Sequence, residues 1–246
     1  MGDGLYIAAS GALARLRDLD VTSNNLANVD TTGFKRDRTA FHAVLESSLP
    51  GGSSGTVPGA TARAFASAES ISVDFTSGPT VTTGSPLDVA IRGRGLFELE
   101  TPAGPRYTRS GSFHVGSDGA LVTSGGLPVM GDGGPLQAGN AAVELLGSGD
   151  LVDDKGAVLG RLRLVSFDRP ELLSKEGDNL YSSPPGAAPQ TLDAFELLPK
   201  SIERSNVDPV RELATLVILQ RAFDAAMRTI SSDDQVTRQL IEEVGR

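Results

Sequence analysis

The 246-residue chain has no cysteine and only two histidines. Without cysteine there is no disulfide, no thiolate metal site and no cysteine nucleophile. A histidine base or metal cluster would have to use His42 or His114. His42 lies beside Phe41 in a segment of helical or extended spacing, and His114 follows Phe113 where strand alternation sends one of the two to solvent. Positive charge is also short: 22 Lys and Arg face 31 Asp and Glu, a net charge of -9 and a pI near 4.8. That balance argues against a phosphate backbone or an anionic membrane surface as partner, so nucleic acid is not expected. No run approaches the roughly 20 apolar residues of a membrane span, and Met1-Gly2-Asp3-Gly4 lacks the basic flank and apolar block of a cleaved signal peptide.

What the chain does have is an apolar stripe at each end. Leu5, Ala9, Ala12, Leu16, Leu19 and Leu26 recur at steps of four and three, interrupted by Ser23. Leu213, Leu216, Phe223, Met227 and Ile230 keep the same step near the other end, with Gln220 as the polar interruption. Val210, Val217, Leu240 and Val244 widen this second stripe, so its helix is expected to be covered on two sides. Isolated helices are marginal in water, and each stripe needs a partner. Pairing of the two ends is the expectation; ordinary two-helix packing within a monomer is the plainer alternative. For the second helix Asn206 or Asp208 serves as N-cap, Pro209 falls in the first turn, and Glu212 follows.

The first helix is expected to stop in Asn24-Asn25-Leu26-Ala27-Asn28-Val29-Asp30-Thr31-Thr32-Gly33-Phe34-Lys35. Asn competes for nearby backbone groups inside a helix and satisfies open carbonyls at its end. Gly33 suits a positive φ and a sharp turn, after which Phe34 re-anchors the chain; an ordinary helix stop and loop would need the same residues. Gly, Ser, Ala and Pro dominate residues 47–70, which read as a flexible connector. Beyond it the period changes to two at Ile71, Val73 and Phe75. Short apolar segments follow, separated by turn signals such as Gly93-Arg94-Gly95, Asp132-Gly133-Gly134 and Asp153-Asp154-Lys155-Gly156.

None of these segments carries a catalytic or metal signature. Gly51-Gly52-Ser53-Ser54-Gly55 fits the nucleophile-elbow pattern but lacks the strand before and the helix after that would strain the serine. The acidic turns do not keep the ligand offsets of a calcium loop. Gly93-Arg94-Gly95 has Glu98 where a dinucleotide loop has its third glycine. No catalytic residue, metal site or cofactor is assigned, and no enzymatic activity is expected.

Several segments together resemble the axial proteins of the bacterial flagellar rod and hook. The run of residues 24–35, with the preceding Leu5-Tyr6-Ile7-Ala8-Ala9-Ser10-Gly11-Ala12, is similar to that family's N-terminal signature. The middle adds Pro86-Leu87-Asp88-Val89-Ala90-Ile91-Arg92-Gly93-Arg94-Gly95-Leu96-Phe97 and Arg106-Tyr107-Thr108-Arg109-Ser110-Gly111-Ser112-Phe113. Near the C-terminus stands Glu203-Arg204-Ser205-Asn206-Val207-Asp208-Pro209-Val210-Arg211-Glu212. Length and the run of residues 101–109 are most similar to a proximal-rod member, with a distal-rod member as runner-up. Leu96 departs from a common Phe, and Lys200 from a Gly that often precedes the C-terminal signature.

The resemblance implies an α+β fold: N- and C-terminal helices paired into a coiled-coil-like helical domain, plus an all-β middle domain of short strands and hairpins. The implied division is 1–35 for the N-terminal helix, 36–70 for the connector, 71–200 for the β domain and 201–246 for the C-terminal helix. It also implies a structural rod subunit that assembles helically and transmits torque. Its partners would be copies of itself, other rod proteins and the flagellar type III export apparatus, with no membrane span and a periplasm-spanning location. The subunit interface is expected at the stripe residues already named, at Val210 and Val217, and at Asn24, Asn25, Asn28, Gly33, Phe34 and Asn206. A hook-type subunit is one alternative. A secreted β-rich binding or hydrolytic protein with helical ends is another, of a different class.

Overall fold

A computed structural model describes residues 2–46, 63–139 and 141–244, with side chains described for 9–39, 71–139, 141–232 and 235. The expected α+β organisation is present: helix α1 spans Gly2–Ala27, helix α2 spans Pro209–Val244, and short antiparallel strands fill the middle. The chain divides into two compact units. A helical unit comprises Met1–Leu26, Asp37–Ser72 and Pro209–Arg246, and a β unit comprises Ala27–Arg36 and Val73–Asp208.

This division differs from the one expected. Residues 27–36 and 201–208 belong to the β unit, so its boundaries reach beyond 71–200 on both sides. The stretch 36–70 contains two long strands, β1 (Asp37–Glu46) and β2 (Arg63–Val73), which form a two-stranded sheet. The reason is where the turn formers lie. Every Gly and Pro of 47–70 falls within 50–59, and the flanks keep residues that strands tolerate. Residues 47–62, including Gly51 to Gly55, lie outside the described residues.

In the helical unit α1 buries a polar stripe. Ala14, Asp18, Thr22 and Asn25, spaced four, four and three, are its buried face. Thr39 on β1 donates its hydroxyl to the Asp18 carboxylate at 2.7 Å. The Asn25 amide accepts from the Asp37 N–H at 2.8 Å and donates to the Asp37 carbonyl at 3.0 Å. One side chain thus satisfies both polar groups of a strand residue.

The β unit is built around β4 (Val89–Arg92, after β3 at Thr80–Thr82), β5 (Leu96–Leu99) and β6 (Arg106–Thr108). In its six-stranded sheet β5 lies between β6 and the strand Leu164–Ser166. Side chains of a strand alternate between faces, so Phe97 and Leu99 enter one apolar cluster with Val89, Leu121, Leu145 and Leu164, while Leu96 enters another with Val73, Tyr107 and Tyr181. Burial on both faces explains why Leu96-Phe97 reads as a continuous apolar run. Phe97 and Phe113 meet edge to face at 5.2 Å between centroids, and His114, on the alternate position, faces solvent.

Candidate subunit interface and the junction of the terminal segments

The two helices carry most of the residues expected at the interface. The Leu5 side chain lies outside the described set. Ala9, Leu19 and Leu26 are half-buried and Ala12 is buried, whereas Leu13 is 62% and Leu16 43% exposed. On α2 the covered positions are Glu212, Thr215, Leu216, Leu219, Ala222, Phe223, Ala226 and Ile230, a single face at helical spacing. Leu213, Val217 and Met227 are exposed, as are Val210 at 76% and Ile218 at 67%. The stripe read as one seam is therefore two. Leu216, Phe223 and Ile230 lie on the covered face, while Leu213 and Met227 join Val210 and Val217 on the open one. Large apolar side chains grouped on a helix surface mark contact with another molecule more than scattered ones do.

The remaining expected interface residues are different. Asn25, Gly33 and Phe34 are buried within their own unit, and Asn28 accepts the Thr31 hydroxyl at 3.1 Å. Asn24 is exposed at the end of α1. The Asn206 amide is spent inside the β unit, which leaves Asp208, directly before Pro209, as the residue at the N-cap position of α2. Asn25, Gly33, Phe34 and Asn206 thus hold the chain together within their own units.

Gly33 has φ +69°, as its place after the Asn cluster suggested. A Cβ there would stand 2.4 Å from the backbone N of Ser110 and 2.5 Å from the Arg109 carbonyl carbon, so both the turn and the close approach require glycine. Its N–H donates to the Glu203 carbonyl at 2.7 Å. Phe34 packs beneath the Lys175 ammonium, 3.9 Å from the ring centroid. Lys175 also donates to the Lys35 carbonyl at 2.5 Å, and Asn179 to the Thr32 carbonyl at 2.8 Å.

At the centre of this junction lies a charge cluster that reading the sequence did not find. Lys35, Glu203 and Arg109 are 1%, 2% and 5% exposed. Glu203 accepts from Lys35 Nζ at 2.6 Å and the Gly78 N–H at 2.8 Å through Oε1, and from Arg109 Nε at 2.6 Å through Oε2. One carboxylate facing two cations leaves a surplus positive charge, and backbone carbonyls absorb it. Lys35 donates to the Thr76 carbonyl at 2.8 Å. Arg109 donates to the carbonyls of Gly95, Gly93 and Ile91 at 2.5, 2.7 and 2.9 Å, fixing the Gly93-Arg94-Gly95 turn from within. Burial alone would raise the Glu203 pKa, but Arg109 and Lys35 outweigh it and hold the carboxyl below its usual range. Burial lowers the pKa of the Lys35 ammonium despite the attraction of Glu203. The signal was available: each of the three charges stands inside a separate signature segment. What was absent was any reason to bring positions 168 residues apart together.

This geometry is that of a scaffold. Among the described residues no group of three His, Asp or Glu is placed to hold a metal, and no helix is long and apolar enough to cross a membrane. A helical unit made from both ends of the chain, with open apolar side chains, defines a class of protein that meets other molecules through its helices. Comparison with known proteins gives the family. Residues 5–35 match the model of the flagella basal body rod protein, 90–158 that of the flagellar hook protein FlgE/F/G D1 domain, and 198–243 that of the flagellar basal body rod FlgEFG protein C-terminal. The chain is 32% identical to the flagellar basal-body rod protein FlgF of Caulobacter vibrioides, covering 100% of this chain and 99% of that one. It is 32% identical to FlgG of Bacillus subtilis, covering 96% and 97%, and 30% identical to FlgF of Rhizobium meliloti, covering 100% and 99%. The chain belongs to the flagellar basal-body rod protein family. It is a structural subunit of the rod in the flagellar basal body, and assembles with other rod proteins.

Proposed function

We propose that this subunit occupies the proximal-rod position of FlgF, that copies and neighbouring rod proteins meet through its helical unit, and that the assembled rod transmits torque. The observation that supports this most is the set of open apolar side chains, Leu13 and Leu16 on α1 and Val210, Leu213, Val217 and Ile218 on α2. Covering such a side chain is worth roughly 1.5–3 kcal/mol, which a neighbouring subunit supplies. The contact is heterologous, one patch meeting a different patch on the next subunit, and repetition of such contacts gives a helical array in place of a closed ring. Export through the flagellar type III apparatus without a cleaved signal, and a location spanning the periplasm, accompany this reading. So does the lack of any intrinsic hydrolase activity, for which esterase, peptidase and peptidoglycan-cleavage assays are the check.

The test is substitution at the open faces. Leu16→Asp and Val217→Asp should leave the β unit folded and abolish incorporation into basal bodies. Motile cells carrying either variant would refute the reading. A distal-rod position is the second reading, favoured by the 32% identity to B. subtilis FlgG. Complementation decides between them, because a proximal-rod subunit restores motility to a strain lacking FlgF and not to one lacking FlgG.

A further inference from the structure

The chain joins the β unit at Ala27, leaves at Arg36, returns at Val73 and leaves again at Asp208, so the unit has four chain ends. The segments that carry these ends are tied to one another inside it. Asn206, two residues before the last end, accepts the Arg36 N–H at 2.8 Å and donates to the carbonyls of Asp74 at 2.8 Å and Thr76 at 3.0 Å. The Asp74 N–H donates to the Arg36 carbonyl at 2.9 Å, and the Arg36 guanidinium meets the Asp74 carboxylate at 2.9 Å. Glu203 binds the first segment through Gly33 N–H and Lys35, and Lys35 continues to Thr76. Arg204 pairs with Asp30 near the first end. One side-chain amide, one carboxylate and the Arg36–Asp74 and Arg204–Asp30 ion pairs make most of these connections.

We propose that Asn206 and Glu203 are the two pins of a collar that locks the four chain ends of the β unit together, so that force arriving along any one of them is shared by all. This rests on the rod-subunit reading and adds to it a mechanical role for named residues. Hydrogen bonds that tie several segments at one place must break together before any one segment is pulled free, whereas separate bonds yield one by one. The residues are not surface contacts; they keep the β unit from unravelling at its ends when the rod turns under load.

The experiment places Asn206→Ala and Asn206→Asp in cells and counts detached hook and filament in media of rising viscosity. Asn206→Asp keeps the acceptor for Arg36 N–H and loses the bonds donated to Asp74 and Thr76. Filament number in dilute medium should match wild type, and shedding should rise several-fold with viscosity, in the order Ala, Asp, wild type. Arg92→Ala, which removes an exposed ion pair with Glu196 elsewhere in the same unit, should shed as wild type does. Incorporated Asn206→Ala that sheds as wild type does at every viscosity overturns the collar while leaving the rod reading intact, since that reading falls when Leu16→Asp or Val217→Asp assembles. Should the Ala variant fail to incorporate, hydrogen exchange on purified full-length Asn206→Asp decides. Faster exchange at both Gly33 and Asp74 supports the collar, and a change confined to Arg36 overturns it.

Discussion

In the β unit the sealed side chains include Tyr181, Phe97 and Leu99, whereas in the helical unit Leu13, Val210 and Ile218 stand in the open and the sealed positions of α1 include Asp18, Thr22 and Asn25. The β unit seals an apolar core and also buries the Lys35–Glu203–Arg109 cluster. In the helical unit α1 buries polar groups beside β1, and both helices keep some large apolar side chains in the open. Apolar surface left exposed costs free energy that another molecule can return, so inversion of the usual pattern is itself a statement about assembly. Polar docking of α1 on β1 adds specificity to the arrangement, because an unmatched buried amide or carboxylate is costly.

The sharpest way to break the contrast is to remove the charge at the centre of the β unit. Glu203→Ala leaves Lys35 and Arg109 buried without their carboxylate, and a loss of about 3–5 kcal/mol is expected. Denaturant unfolding of the purified protein, followed by near-ultraviolet circular dichroism, checks it; a loss below about 1 kcal/mol would mean the cations find other partners. Gly33→Val comes next. Positive φ alone costs of order 1–3 kcal/mol, and the Ser110 backbone adds a clash. Motility should fall while export persists, and wild-type swimming would show that the turn tolerates a side chain.

Acid sharpens the contrast further. The folded pKa of Glu203 lies below the unfolded value of about 4.3, so the unfolded state binds more protons in between and stability rises with pH there. Its contribution is complete above pH ~4.3 and lost as pH falls through the folded pKa. Glu203→Gln should flatten that acid limb, and an unchanged slope between pH 5 and about 3 would assign it to other carboxylates. The smallest effect is expected at Lys200, a non-glycine residue at φ 54° whose ammonium holds only a partly exposed pair with Glu144 at 2.9 Å. Lys200→Gly relieves about 1 kcal/mol of left-handed strain and forfeits a few tenths in the ion pair. A slight rise in melting temperature is the expected result, and a fall would place more weight on the ion pair than on the backbone.

Much of this was legible in the sequence. The two helices, the β-rich middle and the left-handed turn at Gly33 follow from local chemistry: 3.6-residue spacing, period-two alternation, and a glycine after a cluster of helix-ending Asn. The positive φ of Lys200 does not follow from the sequence, where its departure from a frequent Gly marks only the subtype. The charge cluster was not legible, since a buried Lys and a solvated one look the same until the chain is folded. Nor was the buried stripe of α1, because Asp18 and Thr22 read as solvent-facing when judged by polarity alone. The strands β1 and β2 were obscured by averaging the turn-rich residues 50–59 with their flanks.

The bond between Lys35 and Glu203 closes a loop of 168 residues. Contacts that distant in sequence form late, after the entropy of closing the loop has been met. As the chain is synthesised, Lys35 and Arg109 appear early and Glu203 appears close to the end. Until it does, two cations stand in the place of a core with no carboxylate to receive them. The site that seals Lys35 and Arg109 is therefore complete only when the segment around residue 203 is in place.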